Sequence, residues 1–139
     1  MKNFFKNSVR FAMIALVALF PSRDLVVKAA SLDPMIFSIS LPTDLQPSVV
    51  RQDFENESIF SFKNGNTTAF LFSVTRVTGQ QWLTLSHQVK NAMVVRNDGD
   101  YVYFVQKTDQ IKIKGSANDE YLRALNELDA IIAGIQFNS

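Results

Sequence analysis

Apolar and polar positions along the chain follow two periods in turn. From Met35 to Leu41 they alternate, with Phe37, Ile39 and Leu41 on one side and Ser38 and Ser40 on the other. A period of two predicts a half-buried strand. Pro42 ends it, and Thr43–Pro47 reads as a turn. Val49–Phe54 and Ser58–Lys63 read as further strands, the second with Phe60 and Phe62 on one face. Asn64–Gly65–Asn66 signals a hairpin, because Asn and Gly tolerate the positive φ that tight hairpins need. Thr67–Val77 is the longest strand pattern. Phe70, Phe72 and Val74 are expected on one face, with Ala69 and Leu71 making the other apolar too. Two apolar faces predict a central strand covered on both sides.

At Thr78 the period changes. Thr78 and Gln81 have the spacing of a capping box, in which each residue satisfies the other's free backbone N–H. Trp82, Leu85, Val89 and Ala92 follow at helical spacing, so a helix is expected over Gln80–Asn91. Val94–Arg96 returns to strand, Asn97–Asp98–Gly99–Asp100 is a second hairpin signal, and Tyr101–Lys107 is a strand. Ile111–Lys114 alternates apolar and basic residues. It is expected to be an edge strand guarded by Lys112 and Lys114. After the turn Gly115–Asn118, with Ser116 or Asn118 as cap, the last helix is expected over Asp119–Ile135. Tyr121, Leu125, Leu128, Ile132 and Ile135 make its apolar face, and at about 1.5 Å per residue it reaches roughly 25 Å, enough to lie across a sheet. The pattern as a whole predicts an α+β fold. A single antiparallel sheet of five to six strands packs with two main helices.

The N-terminus has a different character. Met1–Arg10 is basic, Phe11–Phe20 is an unbroken apolar run, and small residues follow at Ala29–Ala30–Ser31. This three-part arrangement predicts a secretory signal peptide over 1–29, cleaved near Ala29, ahead of one α+β domain over 30–139. Ten apolar residues give about 15 Å of helix, half the bilayer core, so no membrane span is expected in the mature form. The leader also conceals a charge asymmetry. Of the 14 Lys/Arg and 13 Asp/Glu, five and one lie in 1–29, leaving nine and twelve, a net charge of −3, in 30–139. A mildly acidic body argues against a nucleic-acid surface.

The inventory of reactive groups is short. There is no cysteine and one histidine, His87. Disulfides, thiolate metal sites and multi-histidine sites within one chain are excluded. Ser86 beside His87 is not a nucleophile–base pair, because adjacent helical residues do not face each other. Asp53, Glu55 and Glu57 alternate around Phe54 and are expected at the rim of a loop, while Asp98 and Asp100 lack the further ligands of a calcium loop. No catalytic, metal or cofactor site is expected. Asn56–Glu57–Ser58 and Asn66–Thr67–Thr68 are glycosylation sequons, with meaning only in a eukaryotic secretory pathway. Twelve Phe, one Trp and three Tyr supply aromatic surface in excess. Most should be core, with Trp82 and Tyr103 the candidates to reach the surface and bind.

The opening Phe37–Ser38–Ile39–Ser40–Leu41–Pro42 and the closing Leu128–Phe137, a hydrophobic helix followed by a short hydrophobic-x-Phe, resemble the PsbP-like group, which includes bacterial DcrB-like exported proteins. The likeness spans most of residues 35–137 and is one of pattern. It implies an antiparallel sheet between helices, in the α/β/α sandwich of that group, and an exported, non-enzymatic binding or accessory role. It implies no catalytic residues. Function is accordingly expected to be binding of an unidentified protein or small molecule in the cell envelope or extracellular space. A small secreted hydrolase-like enzyme using Asp or Glu residues and His87, and an inhibitor or immunity-type protein, are the alternatives.

Overall fold

The computed structural model describes residues 37–138. Among the described residues, seven strands and two α-helices follow in order: β1 (Phe37–Ser38), β2 (Val49–Asp53), β3 (Glu57–Asn64), β4 (Thr67–Thr78), α1 (Gly79–Leu85), β5 (Ala92–Asn97), β6 (Tyr101–Lys107), α2 (Asn118–Ala133) and β7 (Gln136–Phe137). The fold is α+β. Five strands form one antiparallel sheet in the order β2-β3-β4-β6-β5, and β1 and β7 form a separate two-stranded sheet. The single expected sheet is therefore two: the main sheet has five strands, and the strand expected from Met35–Leu41 pairs with β7 apart from it, because the short Phe37–Ser38 segment meets Gln136–Phe137 beyond the end of α2.

Local chemistry explains most boundaries. Gly65, at φ +60°, turns the β3–β4 hairpin, and Gly99, at φ +95°, turns β5–β6. The Thr78–Gln81 capping box forms: the Gln81 N–H donates to Thr78 Oγ1 at 3.1 Å, and the Thr78 N–H donates to Gln81 Oε1 at 2.9 Å. Helix α1 is shorter than its pattern predicts. It ends at Leu85, and the chain runs through turns to Asn91, whose φ of +59° re-aims it into β5. Val89 therefore packs on the sheet from a turn rather than from a helix.

Two further expectations are corrected. Ile111–Lys114 is not a strand; Ile111 stands 75% exposed in an irregular connection. What holds that connection is side-chain chemistry: Tyr121 Oη donates to the Gln110 carbonyl at 2.9 Å, and the Ile113 N–H donates to Asn118 Oδ1 at 2.9 Å. Asn118 is thereby diverted from capping, and Ala117 holds the cap position of α2 without a side-chain bond. Asp119 and Glu120 still place negative charge in the first turn, where the helix dipole favours it. The second correction is in β4. A register shift between Phe60 and Ser61 inserts Leu71 as a bulge, so Phe72 pairs with Phe60 and Phe70 with Ser61. Phe70 and Phe72 thus lie on opposite faces, not together.

The main core lies under α2. Tyr121, Ala124, Leu128, Ile131 and Ile132 pack against Phe60, Phe62, Leu71, Phe72, Val74 and Val105. Phe60 and Phe72 stack at 4.4 Å, and Phe62 meets the Tyr121 ring edge-on at 5.5 Å. The β1–β7 pair adds Phe37 and Phe137 to this side, with the Arg51 guanidinium 4.1 Å above the Phe37 ring. A second, smaller cluster of Val77, Leu85, Val102 and Phe104 occupies the other face of the sheet, with Trp82 of α1 against Phe104 at 4.9 Å. Among the described residues, no helix is long and apolar enough to cross a membrane.

Candidate functional site

The two aromatic candidates do not share a site. Tyr103 and Phe104 are neighbours in β6, so their side chains leave opposite faces. Tyr103 is 8% exposed in the main core, packed on Phe137 at 4.9 Å. Trp82 is half-buried over Phe104 on the far side. His87 lies exposed in the turn after α1, and the Ser86 hydroxyl donates back to the Leu83 carbonyl at 3.4 Å.

Two of the candidate carboxylates, Asp53 and Asp98, have local structural partners. Asp53 accepts from Ser58 Oγ at 2.6 Å and from Arg51 Nε at 2.7 Å. The serine bond, with the arginine beside it, outweighs burial and holds the Asp53 carboxyl below its ordinary range. Asp98 accepts the backbone N–H groups of Tyr101 and Asp100 at 2.8 and 3.0 Å, and those bonds likewise lower its pKa. It is the pin of the β5–β6 turn. Asn56, within one sequon, accepts from Arg76 Nε and Nη2 at 3.1 and 3.0 Å, so its amide oxygen is committed to a buried arginine. Among the described residues, no three His, Cys, Asp or Glu side chains gather in a group fit to hold a metal ion.

What the fold does assemble is a groove. Helix α2 crosses toward the β5 side of the sheet, and between its last two turns and β5 lies a cavity of about 490 Å³. Met93 and Val95 of β5 form one wall, and Ile132, Ala133 and Ile135 form the other. Lys107 and Asp129 also line it, joined by a 2.7 Å ion pair. The volume is in the range of small-molecule sites, and the lining is apolar with one charged pair, which suits an apolar ligand or side chain. Ile132 and Ile135 are both expected on the apolar face of the last helix; Ile132 is buried, whereas Ile135 follows the helix end at Ala133 and stays half-buried beside the open space. The usable signals were Ala133–Gly134, two small residues flanked by isoleucines, and the unbroken apolar run Ala92–Val95 in a strand. In comparisons with family models, curated proteins and solved structures, nothing matches the chain.

Proposed function

We propose that the protein is an exported, non-catalytic binding or accessory protein of the cell envelope or extracellular space, and that the α2–β5 groove receives an apolar ligand or an apolar side chain of a partner. The groove carries this reading. Among the described residues, apolar side chains from the end of a helix and from a strand here face an open space of ligand size. The leader pattern over 1–29 supports export and lies outside the described residues. The resemblance to the PsbP-like group supports the same role and its sandwich architecture.

Capture from native envelope or secreted fractions tests this. Ala133 is exposed on the groove wall, so Ala133→Trp fills the space without entering the core. Wild type and His87→Ala are expected to retain the same ligand or partner, and Ala133→Trp to lose it, with all three showing the same circular dichroism. Loss of function with His87→Ala alone favours the hydrolase-like alternative and ends the binding reading.

A further inference from the structure

The face of the main sheet opposite α2 is buried beyond what lies on it. Among the described residues, α1 is the one helix on that side, and it packs on Val77, Val102 and Phe104. The same face continues toward β3 through Thr75, Ser73, Ile59, Ser61 and Phe70. Thr75 pairs with Phe104, Ser73 with Ile59, and Phe70 with Ser61. All five are buried, Ile59 at 2% exposure and Phe70 at 5%. Yet Ile59 and Phe70 belong to neither apolar cluster that the described residues form. Thr75 Oγ1 is buried without a hydrogen-bond partner, a condition that an apolar cover leaves and water does not. At the β2 edge the face opens again, since Val50, opposite Ser61, is 39% exposed. A single chain buries this patch, and the described residues do not account for it.

We propose that the chain's own apolar run Phe11–Phe20 covers this patch, docking on the far face of the sheet over Ile59 and Phe70 and beside α1. The dimensions agree. Ten residues of helix are about 15 Å long, and strands β3, β4 and β6 side by side are about 10–15 Å wide. Residues 21–36 join the run to Phe37. Extended, they reach roughly 50 Å, against the roughly 10 Å between a sheet and a layer packed on it. The chemistry agrees as well. Phe11–Phe20 carries no charge, and neither do Ile59, Phe70 and the three hydroxyl residues between them. Ser61, Ser73 and Thr75 are small enough to admit a closely packed segment, and polar enough to be wetted when it leaves. The expected cleavage near Ala29 removes the cover, so the cut chain presents a surface that the uncut chain hides. The inference stands apart from the groove, which lies on the other side of the sheet, and it needs no ligand there.

Thiol accessibility in the full chain, made by cell-free synthesis so that 1–29 stays attached, tests it. The chain has no cysteine, so Ser73→Cys introduces a single thiol, at a position 3% exposed. Its reaction with iodoacetamide is expected to be at least about 100-fold slower in the native chain than in urea. Leu16→Asp together with Leu19→Asp should speed the native reaction about tenfold or more, because carboxylates do not enter an apolar contact, and should leave the circular dichroism unchanged. Leu83→Asp, at an exposed position of α1, should leave the rate unchanged. A fast reaction in the native chain overturns the proposal, as does a slow one that the two leader substitutions do not alter. A rate that falls as protein concentration rises assigns the cover to a second copy and also overturns it. The Phe70 ring gives a readout in NMR free of any substitution. Cross-relaxation with the methyl groups of residues 11–20 is expected, and contacts confined to residues 37–138 overturn the proposal.

Discussion

Tyr121 offers the sharpest test of how the last helix is held. Its side chain is fully buried, its ring meets Phe62 edge-on, and its hydroxyl donates to the Gln110 carbonyl at 2.9 Å. Tyr121→Phe keeps the ring and removes one oxygen. The Gln110 carbonyl then loses its donor. Gln110 Oε1 is already a buried acceptor without a partner, so a second unsatisfied acceptor would be added to the same residue. A lost neutral hydrogen bond costs about 0.5–1.5 kcal/mol, and a buried group left unsatisfied about 1–3. The expected loss is about 1–3 kcal/mol. With a urea slope near 2 kcal/mol/M, the midpoint should fall by roughly 0.5–1.5 M. A second readout is independent of that loss. Burial, with Asp109 nearby, pushes the phenol above its ordinary value of 10.0. The folded state then holds its proton where the unfolded state releases it. Stability from this group is intact below the unfolded pKa and falls as pH rises through the folded one. Tyr121→Phe should therefore flatten the alkaline limb as well as lower the plateau. A variant within about 0.3 kcal/mol of wild type, with an unchanged alkaline limb, refutes the claim that this bond anchors the 108–117 connection.

Two further outcomes are expected. Leu128→Ala should cost about 2–5 kcal/mol, the usual range for emptying a core site, while Asp129→Ala next to it should stay within about 0.5 kcal/mol. Asp129 is 83% exposed and its pair with Lys107 is a surface one; equal shifts in denaturant midpoint would contradict the orientation of α2. Asp53, with its pKa lowered chiefly by Ser58, stabilises the fold above its unfolded value and loses that contribution as pH falls through the folded one. Ser58→Ala should flatten the acid limb of an unfolding titration, and an unaltered limb would show that the hydroxyl does not set the carboxylate.

The parts of the fold legible in the sequence are those fixed by local chemistry. Tyr101–Lys107 forms as its alternation requires, and the Thr78–Gln81 box starts α1 because both partners lie within one turn. The failures have nonlocal causes. Ile111–Lys114 has the right alternation, yet Tyr121 and Asn118, farther along the chain, capture the Gln110 carbonyl and the Ile113 N–H before a ladder can. The bulge at Leu71 depends on the pairing with β3, so period alone could not put Phe70 and Phe72 on different faces. The groove has the same origin. Each wall reads as ordinary core, and only the offset of α2 from β5 opens the space.

The position of α2 near the end of the chain bears on the timing of folding. All five strands of the main sheet are in place by Lys107, but Tyr121, Ala124, Leu128, Ile131 and Ile132, the cover of the larger core, come later, and Phe137 later still to meet Phe37. A nascent chain that had emerged only as far as Gly115 would present a sheet with its Phe60, Phe62 and Phe72 face bare. Bringing Phe137 to Phe37 closes a loop over nearly the whole described chain, an entropic cost that only the assembled core offsets. Covering of that aromatic face thus waits on α2, the element that supplies its apolar partners, so the sheet is the part of the fold most exposed to wrong contacts until α2 docks.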